Sequence, residues 1–87
     1  MASRDITMLV YPNPASKLAH IQFADALSGP VEIQVFNHLG SLVQNGLLQP
    51  GDDRWEFNVS EFSKGVYFIR ALQNGRILET GKLIIIH

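Results

Sequence analysis

The sequence predicts an all-β domain built from seven short antiparallel strands. Three observations carry that prediction. The hydrophobic period is two along nearly the whole chain, the spacing of residues on one face of a strand. Clusters of Gly, Pro, Asn and Ser cut the chain at short intervals, as turns between strands do. No stretch keeps a 3.6-residue period long enough for a useful helix. The 87 residues make one domain. A chain this short buries about 60% of the surface its unfolded form exposes, so its core is small.

The strands follow in order. The first, 7–11, stops at Pro12 and Pro14, which lack an N–H and force extended conformations on the residues before them. The second, 18–23, puts Ala19, Ile21 and Phe23 on one face and His20 and Gln22 on the other. After the turn Ser28-Gly29-Pro30, the third spans 31–36, with Val31, Ile33 and Val35 inward. Asn37-His38-Leu39-Gly40 reads as a hairpin turn. The fourth, 41–48, is interrupted by Gly46, which suggests a bulge or bend. A Gln49-Pro50-Gly51-Asp52-Asp53 loop leads to the fifth, 54–59, with Trp55, Phe57 and Val59 facing in. A corner at 60–64 precedes the sixth, 66–73. Asn74-Gly75 is the strongest short hairpin signal in the chain. The last strand, 76–87, contains Gly81, read as a kink or bulge. Seven strands at this spacing point to an immunoglobulin-like β-sandwich, with a small open barrel as the alternative.

Composition removes several function classes. The net charge is −1 and no basic stripe occurs, which argues against nucleic acid and against anionic lipid. No apolar run approaches the roughly 20 residues of a membrane-spanning helix, so direct membrane insertion is not expected. There is no cysteine, hence no disulfide and no thiolate zinc site. His20, His38 and His87 lack ligand spacing, and Asp52 and Asp53 read as solvated loop residues. No serine has a nucleophile-elbow context, and no pair of titratable groups can be nominated for acid–base work. No enzyme, metal or cofactor is therefore expected.

Four places stand out. Tyr67, two residues past Gly65, opens the sixth strand just after a corner. Its hydroxyl is expected to turn back onto corner backbone, with partner recognition as the minority reading. Asn13, between Pro12 and Pro14, is either a turn device or a recognition element. The end of the chain, Lys82-Leu83-Ile84-Ile85-Ile86-His87, is apolar on both faces. Either that strand is covered on both sides, or its second face belongs to a partner. Finally, Phe36 and Phe68 fall out of phase with the core faces of their strands. With Ile84 and Ile86 they form a candidate exposed patch.

Tyr11-Pro12-Asn13-Pro14, the Val31-x-Ile33-x-Val35 strand leading to Gly40, Phe62 before Gly65-Val66-Tyr67-Phe68, Asn74-Gly75, and Lys82-Leu83-Ile84-Ile85 occur in that order. In order and spacing they resemble the C-terminal sorting domain of the type IX (Por) secretion system, type A, from about Leu9 to His87. Two departures are Phe62, where leucine is usual, and His87, where lysine or arginine is frequent. The resemblance implies that residues 7–87 are the sorting domain and residues 1–6 a linker or a cloning remnant. It implies a recognition motif of Pro12, Asn13, Pro14, Gly65, Tyr67, Lys82, Leu83, Ile84 and Ile85. It implies partners as well: a cargo domain on the N-terminal side, the outer-membrane translocon with its shuttle proteins, and a surface sortase that cleaves before Tyr11. The cargo would pass through the periplasm and end secreted or at the cell surface. The terminal edge strand could also pair two copies as a homodimer. The alternative is an accessory immunoglobulin- or fibronectin-like module that binds glycan or protein, for which Tyr11 and Trp55 are the available aromatics. A structural spacer is the third reading.

Overall fold

The computed structural model describes residues 7–24 and 27–86. Residues 1–6, read above as a linker, and the terminal His87 lie outside the described residues. Seven strands form, in sequence order β1 (Met8–Tyr11), β2 (Leu18–Phe23), β3 (Val31–Phe36), β4 (Leu42–Leu48), β5 (Arg54–Asn58), β6 (Gly65–Gln73) and β7 (Arg76–Ile85). They make two antiparallel sheets, β1-β2-β5 and β4-β3-β6-β7. No helix occurs among the described residues. The all-β expectation holds, with strand ends shifted by one or two residues: β5 stops at Asn58 and β7 at Ile85.

The period-two pattern explains how the sheets meet. Ala19, Ile21, Phe23 and Phe57 of the smaller sheet are buried in one cluster with Val31, Ile33, Val35, Ile69, Ala71, Leu83 and Ile85 of the larger. β1 contributes Met8 and Val10, packed against that cluster. No polar or charged residue is buried among the described residues. Desolvation therefore falls on carbon, where it is favourable by about 25 cal/mol per Å².

The turns follow their chemistry. Asn74 and Gly75 have φ of +54° and +78°, the pair of positive values that a tight hairpin matching strand twist requires. In the β3–β4 turn, Asn37 Oδ1 accepts hydrogen bonds from the N–H groups of Leu39 and Ser41. Gly40 there takes φ +85°.

Two glycine readings need correction. Neither Gly46 nor Gly81 is a bulge: Gly46 pairs with Ile33, and Gly81 with Ile69, in regular register. The register shifts fall instead beside Val43 and Leu78. A bulge re-aims a side chain, and both extra residues pack against the core. The glycines mark close approach. Gly46 lies under the Trp55 indole, and a Cβ at Gly81 would be 3.0 Å from the Met8 methyl.

The corner before β6 is closed by Tyr67, whose hydroxyl donates to the Ser63 carbonyl at 2.6 Å. The ring is buried and stacks on Phe62, with centroids 5.4 Å apart. Gly65, at φ +148°, makes the turn that brings Tyr67 in. Tyr67→Phe keeps the ring and strands the carbonyl, so it should cost about 1 kcal/mol in urea denaturation. An unchanged midpoint would show that the corner does not depend on the hydroxyl.

Candidate recognition surface

The outer faces of the two sheets differ in chemistry. On the smaller sheet, paired rows place Gln22 beside Arg54, His20 beside Glu56 and Leu18 beside Asn58. Tyr11 stacks on His20 at 5.1 Å and donates its hydroxyl to Gln22 Oε1 at 2.7 Å. His20 Nδ1 lies 3.4 Å from Glu56 Oε2, near enough for an ion pair when protonated but without hydrogen-bond geometry. That face is mostly polar, with Leu9 and Leu18 as its exposed aliphatic residues.

The larger sheet is different. One row runs Leu42, Phe36, Phe68, Lys82 across all four strands. The next pairs Val66 with Ile84, and Ile86 follows beyond β7. Leu42, Phe68, Ile84 and Ile86 are 51%, 47%, 38% and 52% exposed. Phe36 is half-buried beneath the Arg70 guanidinium, whose carbon sits 4.8 Å from the ring centre. A second row at the far end holds Leu47, Glu32, Leu72 and Ile77. Phe36, Phe68, Ile84 and Ile86 thus share one side of the fold, and Phe68, Ile84 and Ile86 are open to solvent. Val66 and Leu42 belong with them and were missed by sequence reading. Val66 is in phase with Phe68 and could have been found, whereas the Val43 bulge hides the phase of Leu42.

The terminal strand resolves into two chemistries. Leu83 and Ile85 are 0% and 1% exposed, and belong to the core. Lys82 and Ile84 are exposed on the outer face. Of the remaining motif residues, Tyr67 is core, Gly65 is half-buried, and Pro12, Asn13 and Pro14 are exposed.

Asn13 connects the two ends of the chain. Its Nδ2 donates to the Lys82 carbonyl at 2.8 Å, and its Oδ1 accepts from the Ile84 N–H at 2.9 Å. The side-chain amide stands in for a peptide unit of an adjacent strand. Ala15 continues the pairing in a parallel bridge with Ile85. Its N–H donates to the Ile84 carbonyl at 2.8 Å, and its carbonyl accepts from Ile86 N–H at 2.9 Å. Residues 13–15 therefore cover the outer edge of β7 from Lys82 to Ile86, where a second strand would otherwise add. Pairing of two copies through this stretch would have to displace them. Replacing Asn13 with Ala should cost about 1 kcal/mol, because both backbone groups then turn to water. Hydrogen exchange at the Ile84 amide should accelerate while Leu83 and Ile85, bonded to β6, stay protected. Unchanged exchange at Ile84 would count against this role.

Among the described residues no group of three or more His, Asp or Glu is placed to hold a metal ion. The features that stand out are a broad apolar face on the larger sheet and a terminal strand pinned by Asn13 and Ala15. The chain belongs to the secretion system C-terminal sorting domain family, whose family model matches residues 9–86. No curated protein matches the chain significantly. Membership makes it a C-terminal sorting signal of type IX secretion, which acts with that machinery on a cargo attached at its N-terminal side. Such a signal directs export across the outer membrane, to the cell surface or the medium.

Proposed function

We propose that the domain is read as a folded unit, through the outer face of the β4-β3-β6-β7 sheet, by the outer-membrane translocon and its shuttle proteins. A surface sortase then cleaves before Tyr11 as the cargo is anchored or released. The observation that carries this reading is the contrast between the two outer faces. A mostly polar face suits water, whereas Phe68, Val66, Ile84 and Ile86 expose apolar surface that a partner would cover. The framework we assign is an immunoglobulin-like sandwich. Its support is the strand order, the shared core and the Tyr67 hydroxyl bond to the corner. The pairing of Asn13 with Lys82 and Ile84 supports a recognition motif that is assembled by folding rather than read as a linear tag.

The test is export of a fluorescent protein carrying a signal peptide in front and residues 4–87 behind, in a bacterium with a working type IX system. Deleting Lys82 to His87 is uninformative, since it removes Leu83 and Ile85 from the core. The informative variant is Phe68→Ser with Ile84→Ser, compared with His20→Ala and Glu56→Ala on the opposite face. The expected result is surface or medium fluorescence for wild type and for the polar-face variant. The apolar-face variant should stay in the periplasm although it melts cooperatively. Normal export of that variant would sink the proposal.

A further inference from the structure

We propose that the depression between Phe36, Phe68, Arg70 and Lys82 binds an apolar protein segment carrying a carboxylate. This deepens the reading of the outer face as the recognised one. Phe36 and Phe68 are directly paired and give an aromatic floor, and Lys82 lies beside Phe68 on the next strand. Arg70 stands one row along, opposite Thr80, so Arg70 and Lys82 are diagonal neighbours with backbones about 7–8 Å apart. These four residues line one depression together with Gly40 and Thr80.

Arg70 is held in place without being neutralised. It stacks on Phe36, and its Nε and Nη2 both donate to Gln34 Oε1, at 3.2 and 2.9 Å. Gln34 in turn donates from Nε2 to Glu32 Oε2 at 3.3 Å. The amide therefore keeps the carboxylate of Glu32 apart from the guanidinium while fixing its direction. Two of the five guanidinium donors are used, on an uncharged acceptor. Among the described residues neither Arg70 nor Lys82 makes an ion pair. Two cations with open valence above an apolar floor complement one anion attached to an apolar group.

The same count decides the class of ligand. Recognition of an anionic lipid surface uses clusters of about four to eight cations, and this face offers two beside the depression. Apolar residues adjoin it, Leu42 in the same row and Val66 and Ile84 in the next. A polypeptide lying across the strands would use them, whereas a lone headgroup would not.

The experiment uses two dyes of like shape, anilinonaphthalene sulfonate and its uncharged analogue phenylnaphthylamine, the sulfonate standing in for the carboxylate. The folded domain should bind the anionic dye more tightly than the neutral one. Lys82→Met and Arg70→Met should each weaken only the anionic dye, by about threefold, and the double variant should weaken it further. Lys82 is exposed, so its variant retains the fold if Arg70→Met does not. Raising salt from roughly 20 to 500 mM should act in the same direction. Equal affinity for both dyes, or no loss in Lys82→Met, would overturn the site. Cosedimentation with phosphatidylglycerol vesicles that disappears in Lys82→Met would overturn the protein-segment assignment in favour of a lipid. None of these arms involves export. Dye binding as described, with normal export of the Phe68 and Ile84 variant, would remove the translocation reading alone.

Discussion

Leu83→Ala should lower the stability of the domain by about 2–5 kcal/mol, while Ile84→Ala, one residue along the same strand, should cost less than about 1 kcal/mol. Leu83 is fully buried and sits opposite Tyr67 on β6. Removing its branch leaves a void among Tyr67, Ile85 and their neighbours that a close-packed interior cannot refill. Ile84 is 38% exposed on the outer face and lies outside the core cluster, so truncating it forfeits part of its burial but opens no closed void. The contrast is large for a chain this size. Stability of roughly 0.05–0.15 kcal/mol per residue gives about 4–13 kcal/mol in total, and each kcal/mol lost moves the midpoint by about 4–8 °C. Thermal melts of the two variants give the answer, and equal losses would mean that the strand does not divide into a core face and a free face.

That division changes how an export defect is interpreted. A cargo can be retained because its label has unfolded or because the label is intact and unread. Leu83→Ala belongs to the first case, and Phe68→Ser with Ile84→Ser to the second. The terminal strand serves both roles because its alternation carries aliphatic residues in both phases. One phase closes the core and the other leaves Ile84 and Ile86 outside.

Much of this was legible in the sequence because strand alternation is a local signal. The inward sets of β2, β3 and β5 could be read directly: Ala19, Ile21 and Phe23, then Val31, Ile33 and Val35, then Phe57. The exposed residues Phe68, Ile84 and Ile86 could be read as well, since each breaks the phase of its neighbours. Tyr67 was found from its distance to the corner. What stayed hidden depends on contacts distant in sequence. The pairing of Asn13 with Lys82 and Ile84 joins positions 69 and 71 residues apart, and nothing local announces it. The bulges beside Val43 and Leu78 are equally silent. An aliphatic residue carries no turn chemistry, and the reason for the bulge is the core that it reaches. The two glycines were recognised as irregular, but the bulges lie elsewhere and both glycines lie against another side chain. A glycine within a strand reports missing volume, and sequence alone does not tell whether the backbone bends there or another side chain moves in.

Gly46→Ala tests that distinction directly. A Cβ at Gly46 would overlap three atoms of the Trp55 indole ring, Cε2, Cζ2 and Nε1. The ring is rigid and stacks on Phe57 with centroids 4.8 Å apart, so it cannot yield by rotating a flexible end. Either β4 lifts away from β5 or the indole swings outward. In both cases packing at that edge of the core is lost, at a cost of about 1–3 kcal/mol. Gly81→Ala provides the comparison. Its Cβ would meet the Met8 methyl at 3.0 Å and Val10 Cγ2 at 3.2 Å, and an unbranched Met side chain adapts. The loss there should be smaller. Trp55 is the single tryptophan, so its emission reports the edge without labelling. Gly46→Ala should shift that emission to the red and lower the urea midpoint, whereas Gly81→Ala should leave the emission in place. A Gly46→Ala protein with unchanged emission and midpoint would mean that the indole does not need the missing side chain, and that the glycine is there for the bend after all.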